Sequence, residues 1–231
     1  MSRELRPLSV DLHAAPVAEG SCILSAGRTR VLCTASVEDG VPSWKERAGG
    51  GWVTAEYSML PRSTHRRTSR ERTGPRGRTQ EIQRLIGRSL RSVMDLDALG
   101  PRTITIDCDV LQADGGTRTA SITGGYLALA LACRGLVGDG AVIRNPLREA
   151  VAAVSVGLID GTHHLDLDYA LDVRADVDMN VVATESGRLV EVQGTAEGLP
   201  FTRSDLDELL DLALGGIERI LAFQREVLSR A

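Results

Sequence analysis

Thr103-Ile104-Thr105-Ile106-Asp107-Cys108-Asp109-Val110-Leu111-Gln112-Ala113-Asp114-Gly115-Gly116-Thr117-Arg118 takes the chain from one backbone periodicity to another. Ile104, Ile106, Cys108 and Val110 fall on one side of an extended chain, and Thr105, Asp107 and Asp109 on the other, which predicts a half-buried strand. Beyond the two glycines an Ala- and Leu-rich run predicts a helix to about Arg134. Unpaired N–H groups and the helix dipole make such a turn an anion site. Thr117 adds a hydroxyl and Arg118 a fork that can grip phosphate bidentately. On local sequence alone a purely structural Gly-Gly turn fits equally well, and the stretch is neither a P-loop nor a dinucleotide fingerprint.

Upstream, Ser21 to Ala26 and Arg28 to Val37 predict a hairpin about Ala26-Gly27, and Trp52 to Leu60 a further strand. Thr79 to Met94 predicts a helix with Ile82, Leu85, Ile86, Ser89, Leu90 and Val93 on its buried face and Arg84, Arg88 and Arg91 on the other. Arg78, between Gly77 and Thr79, sits at that helix start. It would hold a phosphate together with Arg118 if the two helix starts are neighbours. Downstream, strands are expected at Val151 to Ile159 and near 164–169, 177–184 and 188–194, and Ser204 with Asp207 is the expected cap of a last helix. His163-His164, beside Gly161, reads as a solvated turn tip. Gly27-Arg28 and Gly187-Arg188 occupy similar hairpin positions, which suggests two related halves.

Charge is unevenly placed. The 231 residues carry a formal −4, yet segment 62–91 holds ten arginines against Glu71 and Glu81, a net +8 that leaves −12 on the rest. Lys45 is the only lysine. Arginine matches phosphate geometry, so a concentrated block in an acidic chain points to a local polyanion site. Stretch 62–78 has no apolar residues and is expected to be a long exposed loop.

Several classes of function are not indicated. No uninterrupted apolar run suggests a membrane span, and Met1 to Pro7 lacks the apolar region of a secretory leader. Cys22, Cys33, Cys108 and Cys133 form no C-x-x-C pair and read as reduced core residues of a cytoplasmic protein. Aromatics make up only 3% of the chain, so base stacking is a scarce resource.

From Leu165 to Val181 odd positions are mostly apolar, while Asp166, Asp168, Asp172, Asp176 and Asp178 occupy even ones. In an extended chain these carboxylates share a face, which either is a wet strand edge or holds a hard divalent ion such as Mg²⁺.

At this point the chain resembles the ribonuclease PH family. The match runs through Gly51-Trp52-Val53-Thr54-Ala55-Glu56-Tyr57, the helix Thr79 to Arg91, the run Asp107 to Thr123, Val177-Asp178-Met179-Asn180, and Val192-Gln193-Gly194-Thr195-Ala196-Glu197-Gly198, and covers roughly residues 4–228. Leu171 and Val173 flank Asp172 where the family pattern usually reads Glu-Asp-Ser, and Val10 to Ala18 is also unlike the family. The resemblance implies an α/β (α+β) ribonuclease PH-like fold, with two related βαβ-type halves of layered sheets and helices. These would make one domain over 1–231, with approximate halves 1–140 and 141–231. It implies phosphate binding by Arg78, Gly116, Thr117 and Arg118, and catalytic or metal-binding carboxylates at Asp172 and Asp178 for Mg²⁺ or Mn²⁺. It implies RNA contacts from Arg62, Arg66, Arg67, Arg70, Arg72 and Arg76, and a hexamer built as a trimer of dimers.

The expected activity is phosphorolytic 3′→5′ trimming of RNA, with orthophosphate as co-substrate and nucleoside diphosphates as products. Transfer-RNA precursor 3′ ends are the expected substrate. Orthophosphate is already ionised at neutral pH, which fits the lack of a His or Cys nucleophile constellation. The rival expectation is a non-catalytic or exosome-type RNA-binding ring subunit.

Overall fold

In the computed structural model, which describes residues 4–71, 73–198 and 200–231, the chain opens as a meander. Strands β1 (Leu8–Leu12), β2 (Gly20–Ala26) and β3 (Thr29–Asp39) pair antiparallel, and Gly27 turns the β2–β3 hairpin at φ +56°. A short helical turn, α1 (Ser43–Glu46), leads into β4 (Trp52–Met59). The irregular stretches 60–71 and 73–76 follow, then α2 (Gly77–Ser92), the turn α3 (Leu96–Leu99) and β5 (Arg102–Gln112). β5 inserts between β3 and β4, antiparallel to the first and parallel to the second, giving the order β1-β2-β3-β5-β4. The alternation expected at 103–110 is realised: Ile104, Ile106, Cys108 and Val110 are buried, while Thr105, Asp107 and Asp109 are half-buried on the other face.

The second half starts after α4 (Thr117–Gly138). It comprises β6 (Val151–Ile159), β7 (Thr162–Leu165), the single turn α5 (Tyr169–Asp172), β8 (Val177–Thr184), β9 (Leu189–Ala196) and α6 (Arg203–Ser229). Its sheet, β7-β6-β8-β9, is antiparallel throughout, so the parallel pair β4–β5 with α2 between them belongs to the first half.

α4 lies between the halves. Every residue from Thr119 to Cys133 is buried, because the helix packs on β2, β3 and β5, on β6, and on α2 and α6. A Cβ on Gly20 would lie 2.0 Å from the carbonyl of Ala128, so that glycine is what lets β2 and α4 touch backbone to backbone. One continuous apolar core joins both sheets. Contrary to the expectation of no span-like segment, α4 has the length and composition of one, although Thr, Ser and Gly interrupt its apolar residues and most of it is buried within the protein.

Three local expectations are corrected. α6 is capped by Thr202, not Ser204: its side chain accepts the Asp205 N–H and the Asp205 carboxylate accepts the Thr202 N–H. His163 and His164 lie on β7 rather than at a turn tip, and His163 is buried with Nδ1 3.1 Å from Glu208 and Nε2 3.4 Å from Asp205 on α6. The strand expected near 164–169 ends at Leu165, where Asp166 turns the backbone left-handed at φ +56°. Aspartate is among the few non-glycine residues that tolerate that conformation.

Candidate active site

Gly115 and Gly116 both take positive φ, 76° and 62°, immediately before α4. A Cβ on Gly115 would lie 2.5 Å from the carbonyl of Leu167, and one on Gly116 2.9 Å from Nη2 of Arg6, so side chains are excluded by neighbours as well as by conformation. No side chain caps α4 and no acid lies in its first turn. α6, a purely structural helix end, is closed by a full capping box. The first-turn N–H groups of α4 are left for an outside anion.

Thr117 and Arg118 are oriented from opposite sides. The Thr117 hydroxyl lies 2.9 Å from the phenol oxygen of Tyr57 on β4. Burial raises the Tyr57 phenol above its ordinary value, although its bond to Thr117 and the charges of Arg78 and Arg118 pull the other way. It is therefore a neutral hydroxyl at working pH. Arg118 donates from Nη1 to Oε1 of Gln193 on β9 at 2.9 Å, and Gln193 donates in turn to Glu81 on α2 at 2.6 Å. Glu81 also approaches Arg118 directly at 4.0 Å. This relay spans both halves and, among the described residues, engages the guanidinium through Nη1.

Arg78 falls in the first turn of α2, exposed and without a hydrogen bond or ion pair among the described residues. Glu71 steadies that helix start by accepting from the Arg76 N–H at 3.0 Å and the Thr79 hydroxyl at 3.1 Å.

The five aspartates expected on one face do not share one. Asp166 bonds Arg6, Asp168 caps α5 by accepting the Leu171 N–H, and Asp176 accepts the Asp160 N–H. The turn α5 breaks the extended register on which the alternation rested. Asp172, ending α5, and Asp178, on β8, are nonetheless brought together. Partial burial, then the Asp172 carboxylate, pushes Asp178 up to about 6, against the pull of Arg118 and Arg78. Asp172 is raised as well, chiefly by desolvation, against the pull of Arg78 and Arg118. Arg78, Arg118, Asp172 and Asp178 therefore lie within one electrostatic neighbourhood, which Glu197 shares.

Among the described residues no group of three or more His, Cys, Asp or Glu side chains is placed to hold a metal ion. A pair of mutually repelling carboxylates still fits an ion that completes its shell with water and substrate phosphates, as Mg²⁺ does.

The Arg-rich stretch is irregular and open. Arg62, Arg66, Arg67, Arg70 and Arg76 are exposed, and their side chains make no hydrogen bond among the described residues. Arg72 lies outside the described residues. The arginine stripe of α2 divides. Arg88 pairs with Glu191 at 2.5 Å, while Arg91 sits 4.3 Å above the Trp52 ring and donates to the Val53 carbonyl.

Sequence reasoning assigned no role to Tyr57, Gln193, Glu81, Glu197 or Arg6. Tyr57, Gln193, Glu81 and Glu197 stand inside the runs that carry the family resemblance, and that was the available signal.

Models of the 3′ exoribonuclease family match this chain twice, domain 1 over residues 4–134 and domain 2 over residues 149–216. Ribonuclease PH of Moorella thermoacetica is 61% identical over 228 residues, covering 98% of this chain and 91% of the relative. Ribonuclease PH of Parasynechococcus marenigrum is 58% identical over 228 residues, covering 99% and 92%. Among solved structures, rice (Oryza sativa) Rrp46 superposes with a TM-score of 0.79 at 19% identity, covering 99% of this chain and 97% of that one. The Archaeoglobus fulgidus exosome with RNA bound to its active site gives 0.80 at 19% identity, covering 94% and 88%. The two distant structures share the fold, the two ribonucleases PH share the sequence over almost its full length, and the chain belongs to the 3′ exoribonuclease family.

Proposed function

We propose that the residues gathered at the start of α4 hold orthophosphate as a nucleophile against the 3′-terminal phosphodiester of an RNA. The chain is a phosphorolytic 3′→5′ exoribonuclease, a phosphate-dependent nucleotidyltransferase. A phosphate oxygen attacks the terminal phosphorus, the bond to the 3′ oxygen of the preceding nucleotide breaks, and a nucleoside diphosphate leaves. The shortened RNA keeps a 3′ hydroxyl, so the reaction runs in reverse with the same groups.

The difficulty is bringing one anion up to another, and in phosphoryl transfer the remedy is positioning and charge. Arg78, Arg118, the Thr117 hydroxyl and the N–H groups after Gly116 hold the incoming phosphate. Gln193 keeps the Arg118 fork turned, and Tyr57 keeps the Thr117 hydroxyl turned. Asp172 and Asp178 hold a divalent ion, Mg²⁺ or Mn²⁺, which when bound supplies positive charge at the scissile phosphate and the leaving oxygen. Arg62, Arg66, Arg67, Arg70, Arg72 and Arg76 grip the RNA backbone.

The observation that supports this reading most is the pairing of an uncapped helix start, flanked by two arginines, with two carboxylates that are both raised, Asp178 in part by Asp172. An anion site and a cation site placed side by side suit a reaction between two phosphates. The proposed substrate is the 3′ end of transfer-RNA precursors, the proposed assembly a homohexamer built as a trimer of dimers, and the proposed compartment the cytoplasm. Release of labelled nucleotide from a 3′-extended RNA with and without orthophosphate tests the chemistry. Diphosphates are expected only when phosphate is present, and equal release of monophosphates in phosphate-free buffer refutes it. Light scattering tests the hexamer.

A further inference from the structure

Arg6 lies just ahead of β1, far in sequence from every group assigned above, and the seam between the two halves closes around it. Its backbone N–H donates to Oδ2 of Asp166 at 2.9 Å and its Nη2 to Oδ1 at 2.6 Å. Its Nη1 donates to the carbonyl of Asp114 at 2.7 Å. The two side chains are only 15% and 7% exposed. Nη2 also lies where a Cβ on Gly116 would come within 2.9 Å, so the guanidinium is packed directly against the turn that starts α4.

The Leu167–Asp168 backbone packs against Gly115, and further hydrogen bonds to that turn come from the first half. The Asp114 N–H donates to Oγ1 of Thr29 at 2.9 Å, and that hydroxyl donates to the Gly115 carbonyl at 2.7 Å. Arg28 makes two bonds to the Asp114 carboxylate, at 2.9 and 3.0 Å. Among the described residues Arg6 alone hydrogen-bonds both the turn 114–116 and the segment 166–172. Asp166, held left-handed at φ +56°, begins that segment, Asp168 caps its turn, and Asp172 ends it.

A buried ion pair is a poor device for stability, because desolvating two charges offsets most of their attraction. What it supplies well is direction, since a guanidinium fork fixes angles as well as distance. We infer that Arg6 is a positioning residue that sets the spacing between the anion-binding turn Gly116–Arg118 and the carboxylate turn ending at Asp172, and through it the affinity for the attacking orthophosphate. The inference rests on the reading of Gly116, Thr117 and Arg118 as the phosphate site. Releasing the Asp114 carbonyl frees the Asp114–Gly115 peptide to tilt and leaves Thr29 as the only side chain hydrogen-bonding the backbone of Asp114 and Gly115 among the described residues, so the N–H groups that follow can turn away from the anion.

The test uses the full chain with Asp166→Asn, Arg6→Met and Arg6→Lys, and Arg118→Ala alongside. Asparagine tolerates the left-handed backbone of Asp166, so this variant keeps the fold and removes the charge. Phosphorolysis of a short RNA over an orthophosphate series should show the KM for phosphate raised roughly ten- to hundredfold in Asp166→Asn and Arg6→Met. Affinity for the same RNA in phosphate-free buffer should stay unchanged. Arg6→Lys keeps the charge but cannot bond Asp114 and Asp166 in the same fork, and should recover only part of the loss. A folded Asp166→Asn with wild-type phosphate KM, beside a shifted Arg118→Ala, overturns the inference and leaves the phosphate site standing. A lowered melting temperature with an unchanged phosphate KM also overturns it, since the pair is then only a lock. An unshifted Arg118→Ala overturns the phosphate site and the inference together.

Discussion

The turn before α4 and the stretch 62–76 are both cationic, and they are built in opposite ways. At the turn, two glycines clear a space, Thr29 and Arg6 bond its backbone, and Gln193 and Tyr57 orient Arg118 and Thr117. In the stretch 62–76 the described arginine side chains point to solvent with no partner holding them. A small anion offers few contacts, so each must be placed beforehand and the ordering cost met by folding. A polymer offers a charge at every step, so loose arginines can each find one, with counterion release as the driving term. The difference teaches that equal charge does not mean equal function: fixed donors suit the nucleophile, free ones the chain.

The comparison yields a ranked set of expectations. The largest effect lies on the fixed side. Asp178→Asn keeps the shape and removes a charge, and turnover in Mg²⁺ should fall on the order of a thousandfold, by analogy with deleting a preorganised electrostatic group. Circular dichroism should report an unchanged fold, and full activity in Mg²⁺ refutes the metal role. Asp172→Asn should act in the same direction.

Next come Arg118→Ala and Arg78→Ala, each expected to cost about 2–4 kcal/mol of transition-state stabilisation, seen as a lost rate that raised phosphate partly restores. Their salt dependence should match the parent chain. A salt-sensitive loss would erase the contrast, because it would mean that these arginines also act as free polyanion contacts.

Replacing Arg66, Arg67, Arg70 and Arg72 with Ala should weaken binding of a structured, 3′-extended RNA and flatten the log–log salt dependence by about 0.7–0.9 per lost phosphate contact. Turnover of a very short oligonucleotide should survive. Its collapse would put the stretch inside the cleavage centre, and an unchanged salt slope for the long RNA would make it a solvated surface.

The smallest expected effect sharpens the fixed side. Tyr57→Phe removes one hydrogen bond, worth about 0.5–1.5 kcal/mol, and should raise the KM for phosphate a few-fold with RNA affinity unchanged. A titration of phosphate against a fixed RNA concentration distinguishes this from a general loss of fold.

What could be read in the sequence was set by range. The alternation at Ile104 to Val110, the apolar face of α2 and the Gly115-Gly116 turn depend on near neighbours, and the strands and helix appear where expected. The aspartate stretch failed because alternation between 165 and 181 looks the same whether or not a single helical turn interrupts it. Asp168 supplies that interruption by capping. Ser204 with Asp207 and Thr202 with Asp205 have the same spacing in the sequence, and only the direction in which the chain enters the helix makes Thr202 the cap. Arg6 with Asp166, Arg118 with Gln193 and Tyr57 with Thr117 are separated by 160, 75 and 60 positions, so no local pattern records them.

α4 is shared by the cores of both halves, and this bears on how the chain comes apart. Its buried run faces the first sheet on one side and β6 and α6 on the other, and Gln224 on α6 donates both to the Thr123 carbonyl of α4 and to the Val151 carbonyl of β6. A fragment ending near Gly140 would keep α4 against the first sheet but expose the apolar face that β6 and α6 cover. The remaining fragment would lack the surface on which β6 and α6 rest. Neither piece should stay in solution alone, whereas the two expressed together should recombine, and the intact subunit should melt in a single cooperative step.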